Sequence, residues 1–284
     1  MSLALSQDDQ AALVARHNVA INGSLRTRLT TIAVVAGLVG LFLYGLSTLE
    51  VSIWRLIAGF GNLGTFVVLM LPPDPGSLAR AIIFVKALFE TIAIAFLGTI
   101  LAAILAFPLG FLAAKNVVAN RIVHFFARRS LDTVRGVDAL IWALIWVNVV
   151  GLGPFAGMLA IMTSDLGAFG KLYSEAIESA DRKPVEGVTS MGGNKLHEIR
   201  FGLIPQVLPV IASQVLYYIE SNTRSSTIIG IVGAGGIGLY LAETIRTLEW
   251  QQVSFLILLI LAAVTAIDFL SSKLRFAIIG ERAA

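Results

Sequence analysis

Long apolar runs separated by short polar ones dominate this chain. The runs over residues 30–49, 88–114, 134–150, 155–173, 204–219 and 253–271 each approach the roughly 20 residues that carry a helix across a hydrocarbon core. Lipid offers backbone N–H and C=O groups no partner, so a span must be a helix or part of a closed barrel. These runs are too long and continuous for barrel strands. The pattern predicts an all-α membrane protein of about six transmembrane helices.

The intervals between runs differ in kind. Residues 1–29 are polar and mixed, with Ser6 and Asp9 placed to start a short amphipathic segment on the membrane surface. The run at 30–49 lacks a small-residue cleavage site and reads as an uncleaved anchor. Residues 50–87 hold an apolar stretch at 66–71 that is too short to cross. Pro72, Pro73, Asp74, Pro75 and Gly76 follow and end any helix. This gives segments 1–29, 30–75 (first span and outer loop) and 76–284 (the core). In the second span Gly98, Ala102, Ala106 and Gly110 recur at every fourth position, a smooth stripe for close helix packing, and Pro108 is placed to kink its end.

Composition agrees with the pattern. Of 284 residues, 57% are hydrophobic and 14% charged, with mean hydropathy +0.84. Soluble domains lie well below that. A net charge of +3 and pI near 9.3 do not indicate nucleic-acid binding, because basic residues in such a chain encode orientation. Sixteen Lys and Arg residues fall on the side of the N-terminus, and five (Arg55, Arg80, Lys86, Arg224, Arg246) fall on the other. This bias predicts cytosolic N- and C-termini. The absence of cysteine excludes disulfides and thiolate sites, and three scattered histidines (His17, His124, His197) exclude a histidine-rich metal centre.

One polar interval is longer and more structured than the rest. Residues 174–205 form a hydrophilic island on the cytosolic side of this topology. Asp181 can cap a helix with Pro184 in its first turn, which places Val185, Val188 and Met191 on one face. Gly192 and Gly193 break that helix. Asn194 can cap a second, with Leu196, Ile199 and Leu203 at helical spacing before Pro205. The predicted product is a two-helix knob.

Glu186, Gly192 and Pro205 hold the spacing of the cytoplasmic coupling loop of ABC importer permeases. That loop has the form E-A-A, three residues, G, nine residues, I, one residue, L-P, and the island resembles it. Here the two alanines are Gly187 and Val188, the isoleucine is Gly202 and the leucine is Ile204. Farther on, residues 220–227 (ESNTRSST), 228–238 (IIGIVGAGGIG) and 243–250 (ETIRTLEW) look like the C-terminal half of phosphonate importer permeases. The resemblance is strongest over residues 87–269, including Glu90 to Ile92 and the turn from Gly151 to Pro154. It implies the type I ABC importer permease fold and a subunit that moves phosphonate or related phosphorus oxyanions across a bacterial inner membrane. It further implies a homodimer working with a cytosolic ABC ATPase dimer, which holds ATP and Mg, and with an extracytoplasmic substrate-binding protein. This chain would then carry no cofactor and no catalytic group. Glu186, Gly187, Val188, Met191, Gly192, Gly193 and Pro205 would meet the ATPase. A permease of the same architecture for phosphite, methionine or another amino acid is the nearest rival, and an ATP-independent secondary transporter a more distant one.

Gly233, Gly235 and Gly238 satisfy G-x-G-x-x-G, but no carboxylate occurs over 253–267, where a ribose-binding acid is expected. The fingerprint reads as accidental, and the glycines as letting an irregular segment pack beside a pathway. Gly170 and Lys171 form the one Gly-Lys pair, followed by Leu172, so no phosphate-binding P-loop is present. No clustered Asp or His set supports a lipid-phosphate enzyme. Glu220 and Arg224 are charges at membrane depth with two readings: an i, i+4 ion pair, or a pathway face. In the second, Arg224 with Glu220, Asn222, Ser225, Ser226, Thr227, Gly233 and Gly235 would offer donors to an anionic group. Asp165 and Asp268 either mark a path or cap a helix.

Overall fold

The computed structural model describes residues 25–49, 52–118 and 120–280. Among them every regular element is helical. The surface segment expected over residues 1–29, with Ser6 and Asp9, lies largely outside the described residues.

The chain divides into two compact units, residues 1–65 and 66–284. The first holds α1 (Leu25–Thr48) and most of α2 (Ile53–Leu69). The large apolar side chains of α1 from Leu29 to Leu46 are exposed, as befits a helix whose solvent is lipid. The expected short apolar run at 66–71 is in fact the end of α2, which begins at Ile53.

The second unit is a helical bundle. Ser77 accepts the Arg80 N–H and starts α3 (Leu78–Leu112), so this span begins before residue 88 and runs through Pro108. Then come α4 (Arg121–Arg135) and α5 (Ala139–Val150), bent 89° from one another. Together they replace the single third span expected over 134–150. Asp138 caps α5 by accepting the Leu140 N–H, which stops the two from fusing. Gly151 and Gly153, at φ +93° and +135°, turn the chain into α6 (Pro154–Ser179). The knob follows as α7 (Arg182–Ser190), the one-turn α8 (Lys195–His197) and π turns over Glu198–Leu203. The π turns run directly into α9 (Ile204–Ile231), and α10 (Ile237–Arg246) and α11 (Trp250–Ile279) complete the unit.

Close approach between α3 and α6 organises the bundle. A Cβ on Gly98 would lie 2.9 Å from Ile161, and Ala102 and Ala106 are fully buried. At the far end, a Cβ on Gly110 would lie 2.7 Å from Tyr173. The expected small-residue stripe is therefore the packing seam. In lipid such contact gains dispersion energy rather than relief from water.

The irregular segment expected around Gly233 and Gly235 is short. The chain is helical through Ile231 and again from Ile237, with the break confined to a few residues. Gly233, Gly235 and Gly236 stand at φ +93°, +82° and +75°, where a side chain would be strained. The turn is pinned from α3: Glu90 Oε1 accepts the Gly236 N–H at 2.8 Å, and Thr91 Oγ1 accepts the Ile237 N–H at 2.7 Å. These side chains satisfy two of the orphan donors that open α10.

Candidate functional site

The knob is built largely by its own caps. Asp181 Oδ1 accepts the Lys183 N–H at 3.1 Å, and Asn194 Oδ1 accepts the His197 N–H at 3.0 Å. Gly192 at φ +80° makes the turn between them. Gly193 leaves no room for a Cβ, which would lie 2.6 Å from Val188 Cγ1. Gln206, the residue after Pro205, ties the knob to the span. Its Oε1 accepts the Asp181 N–H at 2.9 Å, while its Nε2 donates to the carbonyls of Asp181 and Gly202 at 3.0 and 2.7 Å.

The apolar positions do not all fall where simple helical spacing puts them. Val185 and Val188 are half-buried, but Met191 caps the C-terminus of α7 and is 91% exposed. Leu196 is also exposed, whereas Leu203 is buried. The wider π turns over Glu198–Leu203 rotate later residues away from the α-helical phase, so Leu196 and Leu203 no longer share a face. The tip therefore offers Met191 and Leu196 together with exposed Glu186, Gly187 and Gly192. Gly202 packs on the backbone of α7, where a Cβ would meet Val185 Cα at 3.0 Å. The glycine at this position is what lets the two arms of the knob close on each other.

Beside the knob, a cavity of about 380 Å³ is lined by Asn116, Asp181, Arg182, Glu186, Lys195 and Glu198, among others. The Lys195 ammonium, 2.7 Å from Glu198, holds its carboxyl below the usual carboxylate range, with the Thr189 hydroxyl assisting. A depressed carboxylate contributes stability that is present above its unfolded pKa and lost as pH falls through the folded one. This contact therefore persists through neutral pH.

The polar residues of α9 divide between two faces. Glu220 and Arg224 form an ion pair at 3.0 Å, and Arg275 of α11 reaches the other oxygen of Glu220 at 3.3 Å. Glu220 is buried; the Arg224 side chain is 51% exposed and that of Arg275 26%. Two guanidiniums thus share one carboxylate, and the cluster keeps a surplus positive charge. Arg275 was not among the expected site residues, since its nearness to Glu220 depends on how α9 and α11 pack; the charge count put Arg224 and Arg275 on opposite sides, but a shared carboxylate places them at one depth.

Asn222 points the other way. Its Nδ2 donates to Asp165 Oδ2 of α6 at 2.5 Å and to Thr99 Oγ1 of α3 at 2.8 Å, and all three residues are buried. Asp165 therefore sits mid-helix in a three-helix node and caps nothing, and Asp268 lies exposed within α11. Ser226 and Thr227 are buried and donate to the carbonyls of Asn222 and Thr223; half-buried Ser225 donates to that of Ser221. Gly233 and Gly235 pack against Leu152, Pro154 and Glu90. The residues expected to share one pathway face are thus brought together in part: Arg224 and Ser225 have access to the outside of the bundle, Glu220 is buried beneath Arg224, and Asn222, Ser226 and Thr227 serve the interior.

Comparison with known proteins follows the same geometry. Residues 106–278 match the protein family described as binding-protein-dependent transport system inner membrane component. The chain is 41% identical to the putative phosphite transport system permease protein HtxC of Stutzerimonas stutzeri, over 82% of each chain. It is 49% identical to the putative cryptic phosphonate transport system permease protein PhnE2 of Escherichia coli K12, over 42% of this chain and 97% of that one. Its fold is similar to a chain of the MetNI methionine ABC transporter in an inward-facing conformation, with TM-score 0.63 and 18% identity, covering 71% of this chain and 99% of the other.

Proposed function

Because the chain belongs to the family of binding-protein-dependent transport system inner membrane components, we propose that it is the permease of an ATP-driven importer for phosphonate-type oxyanions, phosphite included. Family membership carries the permease role. The solute class rests on the relatives named for phosphite and phosphonate transport and on the surplus positive charge around Glu220.

The observation that carries the coupling role is the continuity of the knob with the spans. A cytosolic ATPase dimer, which holds ATP and Mg, grips the tip at Glu186, Gly187, Val188, Met191, Gly192 and Gly193. Its displacement enters α9 through the π turns and Pro205 with no flexible joint between them. It enters α6 through the Gln206 bonds to Asp181. Rigid transmission is what such a lever needs, because a population shift requires a differential interaction that reaches both ends.

Two copies of the chain pair about a two-fold axis, with the exposed face of α9 lining the pathway. Glu220 holds Arg224 and Arg275 in aim, and the guanidinium N–H groups left over accept an oxyanion through charge-assisted hydrogen bonds. The carboxylate competes with the solute for the same donors, so the affinity stays low enough for release. An extracytoplasmic binding protein delivers the solute. The protein sits in the bacterial inner membrane with both termini in the cytosol, and residues 76–284 form the working core.

Reconstitution into vesicles with its ATPase and binding protein tests this reading. Accumulation of phosphite or an alkylphosphonate that needs ATP and the binding protein is the expected result. Accumulation driven by a proton gradient with no ATPase present would overturn it.

A further inference from the structure

The outward face of α4 has no part in the pathway or the knob. Its inward face is well accounted for. Leu131 is buried in the notch left by Gly167 and Gly170 of α6, and a Cβ on Gly167 would lie 2.6 Å from the Arg135 nitrogen. Polar bonds reinforce that seat: Asp132 takes Lys171 at 3.2 Å, and Arg128 reaches Glu178 at 3.0 Å and Glu175 at 3.8 Å.

Those three α6 residues fix the depth of α4. From Pro154 to Gly170 the only ionisable side chain of α6 is Asp165, which is buried against Asn222. At Lys171 the helix becomes charged, and this marks the end of its hydrocarbon-compatible length. Every ion pair from α4 to α6 falls at or beyond that point. The helix is therefore held where hydrocarbon gives way to headgroups, at 89° to α5.

At that level α4 turns Ile122, Phe125 and Phe126 outward, all exposed, beside Arg121 and Arg129. The Arg129 guanidinium lies 5.7 Å from the centre of the Phe125 ring. Its ion-pair partner, Asp132, is 3.8 Å away and already engaged by Lys171. Aromatic rings beside arginines on one face of a strongly amphipathic helix suit the membrane interface: the rings enter the boundary of the acyl chains and the guanidiniums reach phosphate. Water would not suit three adjacent large apolar side chains.

We infer that α4 is an interfacial helix seated in the headgroup layer of the protein's own bilayer, with Arg121 and Arg129 selecting anionic phospholipid. The inference rests on membrane insertion alone and is independent of the solute and of the ATPase.

The chain has no cysteine, so Phe126→Cys or, in a second variant, Ile122→Cys gives a unique site for a bimane label in the full-length protein. Met191→Cys at the exposed tip of the knob sets the aqueous reference. In phosphatidylcholine–phosphatidylglycerol vesicles the α4 label is expected to be shielded from iodide and quenched by lipids brominated high on the acyl chain. Brominated phosphatidylglycerol should quench more than equally brominated phosphatidylcholine. Replacing Arg121→Gln or Arg129→Gln should reduce that preference by about fivefold each, the effect of one basic residue at an anionic surface. A label open to iodide places the face in water, and one shielded from iodide and lipid alike places it under protein. Either result overturns the inference, as does equal quenching by the two lipids.

Discussion

Arg224 is the residue on which the pathway reading bears most directly. It is half-exposed at membrane depth and stays tied to Glu220, so replacing it removes an anion donor without opening a hole in the bundle. Arg224→Ala is expected to lower oxyanion uptake at least about tenfold, the cost of one charge-assisted hydrogen bond, with assembly unchanged; vesicle uptake and gel filtration measure the two. Asn222 serves stability instead. Asn222→Leu leaves the Asp165 carboxyl and the Thr99 hydroxyl without their shared donor, a loss of about 1–3 kcal/mol. Thr99→Ala removes one hydroxyl and costs closer to the ~0.6 kcal/mol typical of a hydrogen bond between membrane helices. Thermal unfolding in detergent should rank the two in that order. Neither the Asn222 node nor the reach of Arg275 to Glu220 was legible in the sequence, because each joins helices far apart in the chain. The i, i+4 pairing of Glu220 with Arg224 was legible, being a property of one helix.

At the level of elements, local signals were read well and long-range ones poorly. Asp181, Asn194 and Gly192 fixed the ends and the turn of the knob, because a cap and a positive φ depend on near neighbours. Of the six spans expected, four fall in helices long and apolar enough to cross a membrane among the described residues, and the bent pair α4–α5 makes at most a fifth; the run at 155–173 lies in α6, which is not among them. The edges of the runs moved where a cap acted out of view: Ser77 started α3 early, and Asp138 split the third span in two. The π turns between the knob and α9 carry no short sequence signature, and they are why Leu203 is buried while Leu196 stands exposed; Met191 is exposed because it lies at the C-terminal cap of α7. Gly202 stands where the resembled pattern has isoleucine, and the structure supplies the reason: α7 lies against it. Gly202→Ile should therefore force the arms of the knob apart at about 1–3 kcal/mol, the usual cost of overpacking. Faster proteolysis between Asp181 and Pro205 in the purified protein would register it, and an unchanged cleavage rate would speak against the close packing.

The whole molecule joins a tightly packed bundle to a stiff, capped projection. The α3–α6 seam, the Asn222 node and the pinned glycine turn brace the bundle, and on the proposed function a force applied at the tip would travel into the spans. That mechanical link is the central claim. It is tested most directly by measuring ATP hydrolysis stimulated by the loaded binding protein, together with solute uptake, in the same vesicles. The comparison is between the native complex, Gly192→Pro, which denies the turn its left-handed backbone, and Glu186→Lys, which alters an exposed tip residue without disturbing the fold. The account predicts that both variants assemble with the ATPase or lose it at the knob, and that stimulated hydrolysis and uptake disappear together. Full stimulation and full uptake in both variants would contradict it.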